Sequence, residues 1–195
     1  MSRGEQVQHS ILTVSGEERF FPVIRRSLQG ECVLSAEHRT SAAAARRCIL
    51  ERYYSTIVVN APLPDETGVE LAVDAARECN ASVLLVVPDD IYEDTLDRVT
   101  DYGILVLAKP FPLTRIRHAM RFLTAQQTRL KEAERKVLAA EEKVREIRLV
   151  DKAKFLLIER SHMSEDEAHR YIGKQAMDHG VSRKRIAQRI LDENE

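Results

Sequence analysis

No Cys-x-x-Cys pair occurs in this chain, and its three cysteines, Cys32, Cys48 and Cys79, are odd in number and far apart. That spacing speaks against a disulfide framework or a zinc ribbon and fits small core cysteines in a reducing compartment. No segment approaches the ~20 apolar residues that a membrane-spanning helix needs. The N-terminus lacks the continuous apolar segment with basic flanks of a secretory signal, so a cytoplasmic protein is expected. Excess charge is missing too. The formal net charge is -1, so no whole-chain field selects a partner. The six histidines are scattered, and there is no nucleophile elbow, phosphate-binding loop or metal motif. The sequence predicts no catalytic residue, no metal and no cofactor.

What is present falls into three blocks. Between residues 10 and 108 short apolar runs recur: Ile11 to Val14, Cys32 to Leu34, Ile57 to Val59, Val83 to Val87 and Ile104 to Leu107. They are rich in β-branched residues, and the later ones do not alternate. Strands covered on both faces of a parallel sheet read this way. Helix-length segments near 17–29, 40–52, 66–78 and 91–100 separate them. The alternation predicts an α/β doubly wound, five-stranded parallel sheet, with functional residues beyond the carboxyl ends of the strands.

The second block, Leu113 to Arg160, contains neither Pro nor Gly. A helix this long needs a partner. Ile116, Leu123, Leu130, Val137 and Val144 recur at seven-residue intervals, followed three positions on by Ala119, Gln126, Ala133, Ala140 and Ile147. This seam predicts a coiled coil, and the first five residues are its candidate dimerisation positions. Residues 113–123, where Met120 and Phe122 broaden the apolar face, are also expected to pack on their own domain. Arg129 and Lys136 would meet Glu134 and Glu141 across a parallel pair, with Lys143 against Arg148 a mismatch, whereas an antiparallel pair would set mostly like charge against like. A parallel homodimer is expected.

The third block, 148–195, reads as three short helices. The first continues the long helix through Ala153, Leu156, Leu157 and Ile158. Ser164 and Glu167 form a capping-box signature. The helix they open should bury Ala168, Tyr171, Ile172, Ala176 and Met177, and end at Gly180. Ser182 can cap a last helix with Ile186, Ile190 and Leu191 inward. That helix carries Arg183, Lys184, Arg185 and Arg189 without an acid between Ser182 and Leu191. Such a patch suits phosphate or is simply a solvated face.

Two segments carry a resemblance over the first 122 residues. Asn60-Ala61-Pro62-Leu63-Pro64-Asp65-Glu66-Thr67-Gly68 follows the third run, and Lys109-Pro110-Phe111 follows the fifth. On these the chain resembles the receiver domains of two-component response regulators. That family places Pro four and Gly eight residues after its phosphoacceptor aspartate, here Pro64 and Gly68. Its lysine contacts the phosphoryl group and precedes a cis prolyl bond. The resemblance implies a phosphoacceptor site at Ser15, Gly16, Asn60, Val87 and Lys109, and the site is degenerate. An acyl phosphate forms only on a carboxylate, and Asn60 is a carboxamide. The acidic pair that would hold Mg²⁺ is replaced by Ser15-Gly16, with Glu17 and Glu18 shifted. Val87 replaces the hydroxyl residue. Lys109 alone survives and is expected to be structural, bonded to Asn60.

The tail resembles the ANTAR family of RNA-binding antitermination domains. The matching residues are Ala153-Lys154-Phe155 with the apolar triplet after Lys154, Ser164-Glu165-Asp166-Glu167-Ala168, Ala176-Met177 and Ile186-Ala187; Phe155 stands where the family has Gly. The resemblance implies binding of paired RNA stem-loops in leader transcripts. Lys154, Lys174, Gln175, Arg183, Lys184 and Arg185 are the candidate contacts, while Tyr171 reads as core. The expected division is a receiver-like domain at 1–122, a coiled-coil linker at 123–147 and an ANTAR domain at 148–195. The receiver-like domain leaves room for a regulatory protein or small ligand as input. The alternative is DNA: Ala176 to Ser182 also fits a helix-turn-helix turn.

Overall fold

The computed structural model describes residues 8–193. The chain divides between Glu132 and Ala133 into two compact units. The first contains β1 (His9–Ser15), α1 (Phe20–Ser27), β2 (Val33–Arg39), α2 (Ala42–Glu51), β3 (Thr56–Asn60), α3 (Val69–Glu78), β4 (Ser82–Pro88), α4 (Tyr92–Val99) and β5 (Leu105–Lys109). The strands form one parallel sheet in the order β2-β1-β3-β4-β5. The long helix α5 (Leu113–Ser161) follows, then α6 (Glu165–Asp178) and α7 (Arg183–Asp192).

Both faces of the sheet are covered, which is why its strands read as unbroken apolar runs. Leu12, Val14, Ile57, Val59, Leu85 and Val87 face α2, α3 and α4. Ile11, Val58, Leu84 and Val86 face α1 and the start of α5. β2 is longer than its apolar run suggests. It continues through Ser35–Arg39, polar except for Ala36, which a half-covered edge strand accommodates.

The start of α5 belongs to this unit. Ile116, Met120 and Leu123 are buried with Phe20, Ile24 and Leu107. This corrects the expected dimer seam: Ile116 and Leu123 are spent on the chain's own core. Polar bonds extend the attachment beyond residue 122. Thr124 Oγ1 donates to Glu31 Oε2 at 3.1 Å. Gln127 Nε2 donates to the Asn80 carbonyl at 3.0 Å and to Ser82 Oγ at 3.1 Å. Leu130, Val137 and Val144 are the seam positions left exposed.

In the second unit Ala153 and Leu157 of α5 pack with Ala168, Ile172 and Ala176 of α6 and with Ile186, Ala187 and Ile190 of α7. The capping box forms: Ser164 Oγ accepts from Glu167 N–H, and the Glu167 carboxylate accepts from Ser164 N–H at 2.8 Å. These bonds hold the Glu167 carboxyl below the usual range. Its contribution is therefore present above that range and is lost as the pH falls through the lowered value. Ser164→Ala should cost about 1 kcal/mol at neutral pH. Urea denaturation that showed no loss would mean that the cap is dispensable.

The other end of α6 closes with Gly180 in the left-handed region at φ 62. Gly180 N–H donates to the Met177 carbonyl and Val181 N–H to that of Ala176, a Schellman ending. Two expected core residues lie elsewhere: Tyr171 is 40% exposed and Met177 projects into solvent. Ala168, Ile172 and Ala176, at four-residue spacing, are enough to meet the short α7.

Candidate functional site

The carboxyl ends of β1, β3 and β5 bring Ser15, Asn60 and Lys109 to one end of the sheet, where Ser15 and Asn60 are paired across β1 and β3. Asn60 is only 1% exposed, and its amide donates to Ser15 Oγ at 2.9 Å. Lys109 does not bond Asn60 as expected. Its Nζ donates to the Ala61 carbonyl at 2.9 Å and meets Glu17 Oε1 at 3.3 Å. Both groups lie nearby on the loops after β1 and β3, so the ammonium joins those loops. Val87 is fully buried and packs into the core.

The residues present do not fit Mg²⁺. A hard cation needs several oxygen ligands, carboxylates above all. Glu17 is paired to Lys109. Asp65 accepts from the N–H groups of Ala42 and Ala43, both at 2.9 Å, and so caps α2 from a distant loop. Those backbone bonds hold its carboxyl below the usual range. Glu66 pairs with Arg46 through both carboxylate oxygens. At Gly16, a Cβ would stand 2.8 Å from Pro64 Cγ, so no acidic side chain enters there without moving a rigid ring. No local pattern in the sequence marks this clasp, because its partners lie 20 or more residues apart.

The candidate nucleic-acid residues of the second unit differ in their surroundings. Lys154 Nζ meets Asp151 at 2.8 Å and Glu165 at 3.2 Å, and these carboxylates raise its pKa. Lys184 is ion-paired with Glu142. Gln175 is half-buried. Among the described residues Lys174, Arg183 and Arg185 are exposed and form no ion pair. The structure adds Arg170 and His169, which share a groove between α6 and α7 with Lys174 and Arg183. The signal for it in the sequence was Gly173, a glycine in mid-helix.

A parallel five-stranded sheet with this order and helices on both faces is the receiver fold, here followed by a helical C-terminal unit. Residues 138–191 match the ANTAR domain; the match follows the receiver-like unit in the chain and begins within α5, upstream of residue 148. The chain is 25% identical over 137 residues to the transcriptional regulatory protein PdtaR of Mycobacterium tuberculosis. That alignment covers 70% of this chain and 66% of the relative, just under two thirds of its length. The fold is similar to a solved adenylate cyclase structure from Rhodopirellula baltica (TM-score 0.59, 20% identity, 67% of this chain and 98% of that one). It is also similar to a signal receiver domain of an HD domain-containing protein from Pseudomonas fluorescens (TM-score 0.54, 19% identity, 68% and 96%). No helix among the described residues is long and apolar enough to cross a membrane.

Proposed function

We propose that this protein is a cytoplasmic transcription antitermination regulator that binds paired RNA stem-loops through its ANTAR domain. It acts as a parallel homodimer joined along α5, and its receiver-like domain serves as a scaffold or as the input for a protein or small ligand. The ANTAR domain, together with the unpaired cations Lys174, Arg183 and Arg185, carries the reading. RNA loops offer a closely spaced phosphate backbone and unstacked bases, and exposed cations without carboxylate partners are suited to the first.

Neutralised phosphates make affinity fall with salt, with a slope of roughly 0.7 per phosphate on single strands. Arg183→Ala with Arg185→Ala should weaken binding and flatten that slope by about 1.4, two such contacts. Lys184→Ala should do less, because Lys184 already has Glu142. The measurement is a titration of a fluorescent pool of two-stem-loop RNAs at several salt concentrations, with matched duplex DNA as competitor. The four-residue turn between α6 and α7, 179–182, keeps the helix-turn-helix alternative in play. Duplex competing as well as RNA would favour it. If neither nucleic acid binds, the tail is a protein-interaction module.

Asn60 and the spent carboxylates support a domain that accepts no phosphate. Incubation with a small-molecule phosphodonor and Mg²⁺ should leave the intact mass unchanged. A stoichiometric, hydroxylamine-labile adduct would refute this.

A further inference from the structure

Gly173 is an oddity in α6. Glycine in a helix interior is destabilising relative to alanine, and Gly173 is not among the residues with positive φ, so the backbone does not demand it. Its missing side chain has a use. The open groove between α6 and α7 has a volume of about 680 Å³ and has Gly173 on its wall. A Cβ there would lie 3.7 Å from Arg183 Nη2 and 3.9 Å from Nε, so the Arg183 guanidinium lies over the bare stretch of helix.

The rest of the lining is of two kinds. His169, Arg170, Lys174 and Arg183 face one carboxylate, Asp178. Between them stand Val181 and Met177, whose side chain is 84% exposed. An exposed thioether beside guanidinium groups offers a polarizable surface to a flat ring. The flanking cations suit the phosphate attached to that ring. The volume is of the order of small-ligand sites, about 300–1,000 Å³. We infer that this groove takes one unstacked nucleotide of an RNA loop, its base against Met177 and Arg183 and its phosphate toward Lys174 and Arg170.

This rests on the RNA-binding reading and adds to it a pocket for a single base. The test uses the full chain with ¹³C-methyl methionine. Of the four methionines, Met120 is buried in the receiver-like unit and serves as the internal reference. The RNA probe is the tightest-binding member of a two-stem-loop pool with randomised loops. On binding, the Met177 methyl should move upfield, as a ring stacked on it requires, while Met120 stays. One loop position should be singled out by abasic replacement, with a loss of about tenfold to a hundredfold. Gly173→Leu fills the groove; it should lose as much and become indifferent to the abasic site. Gly173→Ala should keep binding, since its Cβ meets Arg183 at ordinary contact distance. Met177→Glu, at a solvent-facing position, gives the same readout as Gly173→Leu should that variant not fold. Wild-type affinity and an unchanged abasic profile in Gly173→Leu and Met177→Glu would overturn the groove and leave RNA binding standing. If the wild-type chain binds no RNA, the RNA reading itself fails. A Met177 shift produced by acidic peptides but not by RNA would assign the groove to a protein partner and overturn the inference.

Discussion

Aspartate at both Leu130 and Val137 is expected to leave the chain monomeric at micromolar concentration. In the single chain Leu130 is 39% exposed, Val137 56% and Val144 47%, apolar surface that the proposed parallel pair would cover. In a parallel pair each would lie opposite its own copy. Two carboxylates meeting in a desolvated seam cost several kcal/mol per ion. The intervening positions Gln126, Ala133 and Ala140 bury little apolar surface and leave little margin. Because Leu130 and Val137 are outside both cores, the fold of each unit should survive. Sedimentation velocity reads the result, and a dimer that persists would place the interface elsewhere, the receiver-like surface being the first place to look.

Leu123→Ala should act on a different property. Leu123 is fully enclosed with Ile116 and Met120, and a buried leucine reduced to alanine costs about 2–5 kcal/mol. The thermal midpoint of the receiver-like unit should fall by on the order of 10 °C, followed by circular dichroism, with the sedimentation coefficient of the folded protein unchanged. If dimerisation were lost while the midpoint held, Leu123 would be a seam residue after all.

These two experiments divide a stripe that the sequence presents as continuous. Ile116 to Val144 keep one seven-residue period, because a helix resting on its own sheet and a helix resting on a second helix both need a narrow apolar face. Periodicity reports that a face is covered and does not say by what. The five strands were legible because their runs are covered on both sides. The polar half of β2 was not, since at a sheet edge the backbone ladder holds Ser35–Arg39 with little help from apolar side chains. Ser164 and Glu167 were legible because a cap is local in the chain. The partners of Lys109 and Asp65 were not, because loops set them, as they set the contact of Lys154 with Glu165. Tyr171 has the spacing of a core residue, yet three smaller neighbours already fill the available face.

The packing of Pro64 on Gly16 bears on what it would take to build a phosphate-accepting cleft here. An acidic residue at position 16 alone would strike the proline ring. Aspartate at position 60 alone would place a buried carboxylate beside a serine hydroxyl, where desolvation favours the protonated acid. Releasing Glu17, Asp65 or Glu66 to serve a cation would unfasten the β1 loop or the start of α2. Each first step toward a metal-binding, phosphate-accepting cleft lowers stability before any later step can reward it. In the proposed reading, where this domain accepts no phosphate, that cost leaves a partner protein or a small ligand as its input.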